Sequence, residues 1–239
     1  MTLSHKASKR QQAPRAAPRP TDHARARAKR TRIIEAAMRH FAERGYLAAR
    51  VEDIAEEMGI AKGSVFQHFG SKSELFLETY RTAVRSLPSY LDAPTAVLEK
   101  GFFETVRYWL ECTDHLVRED WIPYRVALLG NYGVDLSLKH QINRFLAQED
   151  PYAIRAFVRF GVERGEVRSD IDSEMIISIL DWTVERFQDA LVTEELDPGL
   201  FRHEEESLEK RQARIHQFLD VLRGAIGARE PALPSGAST

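Results

Sequence analysis

The sequence predicts an all-α protein, built as a small three-helix head carrying a helix-turn-helix and a larger helical body behind it. Three observations lead there. Apolar residues recur at three- and four-residue spacing along most of the chain, and no alternating stretch is long enough to make a convincing strand. Two short helical stretches meet at Gly59 inside VEDIAEEMGIAKGSVFQHFGSK. Charge is divided unevenly: the first 32 residues hold ten of the 34 Lys and Arg but only one of the 36 acids, Asp22, so the head end is near +9 and the remainder near −11. Such asymmetry points to a polyanion partner at the basic end.

Composition removes several classes. At 239 residues, with 43% hydrophobic and 29% charged content, the chain is of ordinary globular make-up. No apolar run approaches the roughly 20 residues needed to cross a bilayer. The basic N-terminus has no apolar segment of the secretory kind. A cytoplasmic location is therefore expected. Cys112, the one cysteine, can form neither an internal disulfide nor a cysteine-rich metal site and reads as a small core residue. Neither a cofactor nor a metal is expected.

The elements follow in order. Residues 1–24, rich in Ala, Pro, Arg, Ser and Gln, predict a disordered basic arm. The head spans 25–86. Its first helix covers about 24–44, with Ile33, Ile34, Ala37 and Phe41 on one face and Gly45 as a left-handed terminator. A short helix covers 51–58, with Glu52 and Asp53 in the first turn favouring the positive end of the dipole. The next covers 62–69 and ends at Gly70. Ser71-Lys72-Ser73-Glu74 then reads as a capping box opening a fourth helix, which Pro88 stops. The body spans 87–227. Its helices are expected at 96–118, 121–129, 136–147, 151–163 with Pro151 in the first turn, from 173 to the Asp197-Pro198-Gly199 loop, and 204–226. Residues 228–239 read as a disordered tail.

The helix-turn-helix carries the functional information. Ala55 is small where the two helices cross, Gly59 takes the turn's backbone angle without steric cost, and Ile54, Ile60 and Val65 fill the wedge. That packing leaves the second helix free to enter a major groove with its first residues at base edges.

The surroundings match as well. RIIEAAMRHFAERGY, followed by VEDIAEEMGIAKGSVFQHFGSKSELF, resembles the N-terminal domain of the TetR/AcrR transcriptional regulators across 27–82. The resemblance implies that Ala61 to His68 form the recognition helix. Lys62, Gly63 and Ser64 would lie at its start near phosphates and bases, with Gly63 allowing close approach. Phe66 stands where the family usually has tyrosine and keeps an apolar contact to a thymine methyl or sugar. Gln67 is a base reader suited to adenine, and His68 and Lys72 are phosphate contacts. Phe69 should be a buried plug. Two departures matter: Ala49-Arg50 and Ala61 stand where Ser or Thr is common, so hydroxyl caps worth about 0.5–2 kcal/mol each are missing. Arg50 is expected to grip a phosphate directly. Arg25, Arg27, Lys29 and Arg30 of the basic arm are candidates for the minor groove or the backbone.

The resemblance further implies a dimer on a palindromic operator, released by a small-molecule effector held in the body. Aromatic and polar residues on largely apolar helices are the effector candidates: Arg107, Trp109, Tyr124, Arg125, Asn131 and Trp182. Arg107 or Arg125 would suit an acidic effector, such as a carboxylate or a coenzyme A thioester. Ile179, Thr183, Phe187, Ile215, Phe218 and Leu222, on the last two long helices, are the dimer-interface candidates. The alternatives are an activator, or an architectural DNA-binding protein with a filled body and no effector. An enzyme is disfavoured: there is no HExxH, GxSxG, P-loop or GxGxxG, and HEEE at His203 lacks a second histidine.

Overall fold

The computed structural model describes residues 20–197, 199 and 208–229. The expected arm before residue 20 and the tail from 230, together with the 204–207 start of the last helix, lie outside the described residues. Among the described residues there is no strand, only an isolated antiparallel bridge between Val167 and Gly227.

Helix α1 (Pro20–Ala48) starts earlier than expected, so residues 20–24 are helical rather than part of a disordered arm. Proline suits a first helical turn, because its fixed φ is already right and its missing N–H would be unpaired there anyway. Gly45 breaks α1 with φ 75° and ψ 166°. Helix α2 (Val51–Glu57), the turn at Gly59 (φ 63°) and α3 (Lys62–Phe69) fall where the sequence put them. Helix α4 (Lys72–Ser86) is capped by Ser71, whose hydroxyl accepts the Glu74 N–H at 3.1 Å.

The body departs from the expected boundaries twice. The stretch 96–118 is two helices, α5 (Thr95–Leu98) and α6 (Phe102–Glu119), parted at Gly101 with φ 110°. The cause is distant in sequence: the Glu166 carboxylate accepts the Phe102 N–H at 2.8 Å and so caps α6 from outside. After α7 (Trp121–Tyr132) and α8 (Leu136–Glu149), α9 runs Ile154–Glu163, three residues later than Pro151 suggested. Asp150 adopts a left-handed conformation, and its carboxylate accepts the N–H groups of Ile154 and Arg155 at 2.8 and 3.1 Å. That cap fixes where α9 begins.

Helices α10 (Ser173–Leu180) and α11 (Arg186–Val192) form one rod joined by a π-helical turn over Asp181–Glu185. Helix α12 (Leu208–Ile226) closes the body.

Two apolar cores hold these elements. The first joins α1 to α4 with α7 and α8, through Phe41, Ile54, Phe76, Tyr80, Val126 and Ile142. The head therefore does not close on itself: α7 and α8 complete its core. The second joins α6 and α9 to α12, through Phe102, Phe157, Ile176, Leu180, Ile215 and Leu222. At Gly130 on α7, a Cβ would overlap the ring of Tyr80 on α4. Glycine there lets the two helices touch.

Candidate nucleic-acid interface and internal cavity

The turn between α2 and α3 is held by two backbone bonds, Gly59 N–H to Glu56 O at 2.9 Å and Ile60 N–H to Ala55 O at 3.0 Å. Val65 and Phe69 anchor α3 by burial, while Ile54 and Ala55 do the same for α2. The other residues of α3 reach solvent to differing degrees, with Phe66 also packed against the first core. Ala61, Lys62, Gly63 and Gln67 are exposed, and Ser64, Phe66 and His68 are half-buried. A Cβ on Gly63 would meet nothing within 4 Å, so no packing within the chain requires glycine there. Neither Arg50 nor Ala61 gives a side-chain cap to the helix it precedes.

Several of the basic candidates already have partners. The Lys62 ammonium donates to Glu52 at 2.6 Å and lies over the Phe66 ring. Lys72 donates to the Leu47 carbonyl at 3.1 Å and stacks over Tyr46. Burial pushes its pKa down. The Arg50 side chain is exposed and makes no hydrogen bond or ion pair among the described residues.

The basic residues expected to serve as a DNA-binding arm lie on α1, within the helix expected from about residue 24. Arg25 and Arg27 lie exposed on the first turns of α1. Lys29 donates to the Ser64 hydroxyl at 2.8 Å, and Arg30 donates to the His68 carbonyl at 2.8 Å and to Glu78 at 2.7 Å while covering Phe69. Arg30 is thus a clamp between α1, α3 and α4, not a free arm residue. The N-terminal end of α1 is brought beside α3, and His23, Arg27, Arg30 and His68 surround a shallow recess between them.

The second site is a cavity of about 510 Å³ between the two cores. Of the expected residues, Trp109, Tyr124, Asn131 and Trp182 line it. Arg107 and Arg125 do not, which corrects the reading that set them in the site. Arg107 is held on its own helix by Glu104 and Glu111 at 2.6 and 2.8 Å, and Arg125 lies over the exposed Trp121. The basis for an acidic effector goes with them.

Acids that the sequence reading missed take their place: Asp181, Glu185 and Asp189, one above another on the α10–α11 rod. Asp189 accepts from the Tyr124 and Tyr132 hydroxyls at 2.7 and 2.9 Å. Glu185 accepts from the Asn131 amide at 2.7 Å, and that amide's oxygen accepts from Lys139 at 3.1 Å. Burial, reinforced by Asp189, pushes the Glu185 pKa up to about 7. Burial and the neighbouring Asp150 raise that of Asp181. Burial lowers that of Lys139. Acids at four-residue spacing inside the apolar run of Ile176, Ile177, Leu180, Val184 and Leu191 were the signal in the sequence.

The interface candidates divide as well. Ile215 and Leu222 are buried in the second core of their own subunit and cannot meet a partner, which corrects their assignment. Thr183 is exposed and Ile179 half-buried. Phe187 and Phe218 stack at 4.1 Å near the surface, with Val221 exposed beyond them.

A helix-turn-helix head whose second helix is anchored on one side and open on the other defines the class, a DNA-binding regulator. Residues 33–79 match the family model described as bacterial regulatory proteins, tetR family. Over 201 residues the chain is 29% identical to the HTH-type transcriptional repressor AcnR of Corynebacterium glutamicum, covering 84% of this chain and 94% of that one. Its fold is similar to a tetR-family transcription regulator from Shewanella sp. PV-4, at TM-score 0.56 and 19% identity, with 84% of this chain and 99% of that one covered. It is also similar to a transcriptional regulator from Saccharomonospora viridis in complex with choline, at TM-score 0.52 and 23% identity, with 85% and 100% covered. Residues 33–79 thus carry the N-terminal domain of the tetR family of bacterial regulatory proteins, and the chain as a whole is similar to transcriptional regulators of that kind. No helix among the described residues is long and apolar enough to cross a membrane.

Proposed function

We propose that the protein is a ligand-responsive repressor that binds a palindromic operator as a homodimer and leaves it when a small molecule fills the body cavity. The observation that carries this reading is the outward face of α3, with Gly63 open to approach and the basic end of α1 beside it. Gln67, exposed at mid-helix, is the base reader, and Lys62 reaches a base or phosphate by exchanging Glu52 for DNA. Arg50, Arg25 and Arg27 are free to hold phosphates. Ser64, Phe66, His68 and the backbone at Ala61 and Gly63 fit against the groove wall, with Lys72 at its edge. Repression is favoured over activation by the likeness to a named repressor across most of both chains. An architectural protein with no effector is disfavoured by the cavity, which a filled body would not have.

Dimerisation is supported by the outer face of α11 and α12, where Thr183, Phe187, Phe218 and Val221 reach the surface around Ile179. Two recognition helices then meet successive major grooves about 34–36 Å apart. Coupling runs through α7. Tyr124, Ala127, Leu128 and Asn131 on that helix line the cavity, and the same helix completes the core of the head. Selection of bound duplexes from a random pool tests the proposal. A recovered palindrome with half-sites one helical turn apart, or a multiple, is expected. Recovery of sequences with no common element would refute it.

A further inference from the structure

The charge inside the cavity is unbalanced, and its walls are aromatic. Asp150 is committed to the N–H groups of Ile154 and Arg155, and Arg155 pairs with Glu174 at 3.3 Å. Asp189 is satisfied by two tyrosine hydroxyls. The Asp181 carboxylate, exposed at the cavity rim with Arg155 and Lys139 nearby, makes no hydrogen bond or ion pair among the described residues, and Glu185, half-buried, receives one bond, from a neutral amide. Among the described residues, Lys139 is the remaining lining cation, and it is held on that same amide.

Acids four residues apart on a helix repel one another. Here they stand at 181, 185 and 189 on a rod whose π turn covers Asp181–Glu185, and π turns recur where a helix serves a site. Tyr90, Trp109, Tyr152 and Trp182 also line the cavity, and aromatic rings attract cations over their faces. Among the described residues, no group of three His, Cys, Asp or Glu is arranged to hold a metal ion.

We propose that the cavity takes an organic cation, an amine or quaternary ammonium on an apolar body, with its charge against Glu185 and Asp181 and its body against the rings. This rests on the reading of the cavity as the effector chamber. A cation restores charge balance between half-buried Glu185 and the exposed rim acid Asp181, whereas an acid would add to an excess already present.

The test is calorimetric titration of the full chain with benzyltrimethylammonium, alongside neutral 2-phenylethanol and anionic phenylacetate, two molecules of similar bulk. Saturable binding of the cation, at least tenfold tighter than either control, is expected. Glu185→Gln keeps an oxygen for the Asn131 amide and should weaken the cation at least tenfold, while Lys139→Gln should tighten it. The inference is overturned if the cation does not bind, if phenylacetate binds more tightly, or if Glu185→Gln leaves the cation's affinity unchanged. Operator release is measured separately. Cation binding that leaves DNA affinity unchanged supports this inference and removes the release step. Release driven by an acid but by no cation keeps the release step and removes this inference.

Discussion

At the scale of single residues, Glu185 makes the sharpest prediction. Its carboxyl is held near pH 7 in the fold, against about 4.5 in an unfolded chain. The folded state therefore binds more protons between those values, and stability falls as pH rises from about 4.5 to 7. Asp181, Asp189 and Lys139 face the same space, as do the hydroxyls of Tyr124, Tyr132 and Tyr152, which burial keeps protonated across this range. Replacing Glu185 with Gln removes the cost of the buried charge. The variant should exceed wild type at pH 8 by on the order of 1–3 kcal/mol and match it near pH 4.5. Urea unfolding at the two pH values checks this; a variant less stable at pH 8 would contradict it. The sequence named Tyr124, Asn131, Trp109 and Trp182 because aromatic and polar groups on apolar helices stand out. It misplaced Arg107 and Arg125 because the side chains that neutralise them, or lie beneath them, sit within four residues on the same helices, and composition treats such an arginine like a free one. Arg30 shows the same limit: only the fold reveals that His68 and Glu78 hold it.

At the scale of elements, α2, the turn and α3 were legible almost to the residue. Their boundaries are set locally, by Gly45, Gly59 and Gly70, each at positive φ. The break at Gly101 and the late start of α9 were not, since both depend on carboxylates that cap a helix across a fold or a turn, Glu166 and Asp150. The α4–α7 contact yields a second prediction. Gly130→Ala places a methyl into the Tyr80 ring and should cost about 1–3 kcal/mol through overpacking. Tyr80→Phe leaves the ring in place and should not relieve it, whereas Tyr80→Leu in the same chain should recover part of the loss. Denaturant midpoints of the single and double variants measure the coupling. At the recognition helix, Arg50→Ala should weaken all DNA about equally and flatten the salt dependence by about one unit of log–log slope, as expected for one lost phosphate contact.

At the scale of the whole molecule, the two cores and the cavity between them define how the protein can work. One core is shared by the head and by α7 and α8; the other holds the outer face proposed to meet a second subunit. A ligand between them can alter the spacing of two heads by moving α7, α8 or the end of α4, where Leu87 and Pro88 border the cavity. Linkage then requires reciprocity: operator DNA must weaken ligand binding by the same factor by which ligand weakens DNA binding. Equal ligand affinity with and without operator, in a protein that ligand removes from DNA, would break that equality.

The central claim is that α3 reads sequence. Its most direct test is titration of a selected operator, and of the same duplex with its half-sites scrambled, by wild type and Gln67→Ala over a range of salt. Wild type should hold the operator far more tightly than the scrambled duplex at moderate salt. Gln67→Ala should lose about 1–3 kcal/mol of that preference while keeping its affinity for the scrambled duplex. Equal, salt-labile binding of both duplexes by both proteins would mean that the basic residues alone make contact, and the reading of α3 would fall.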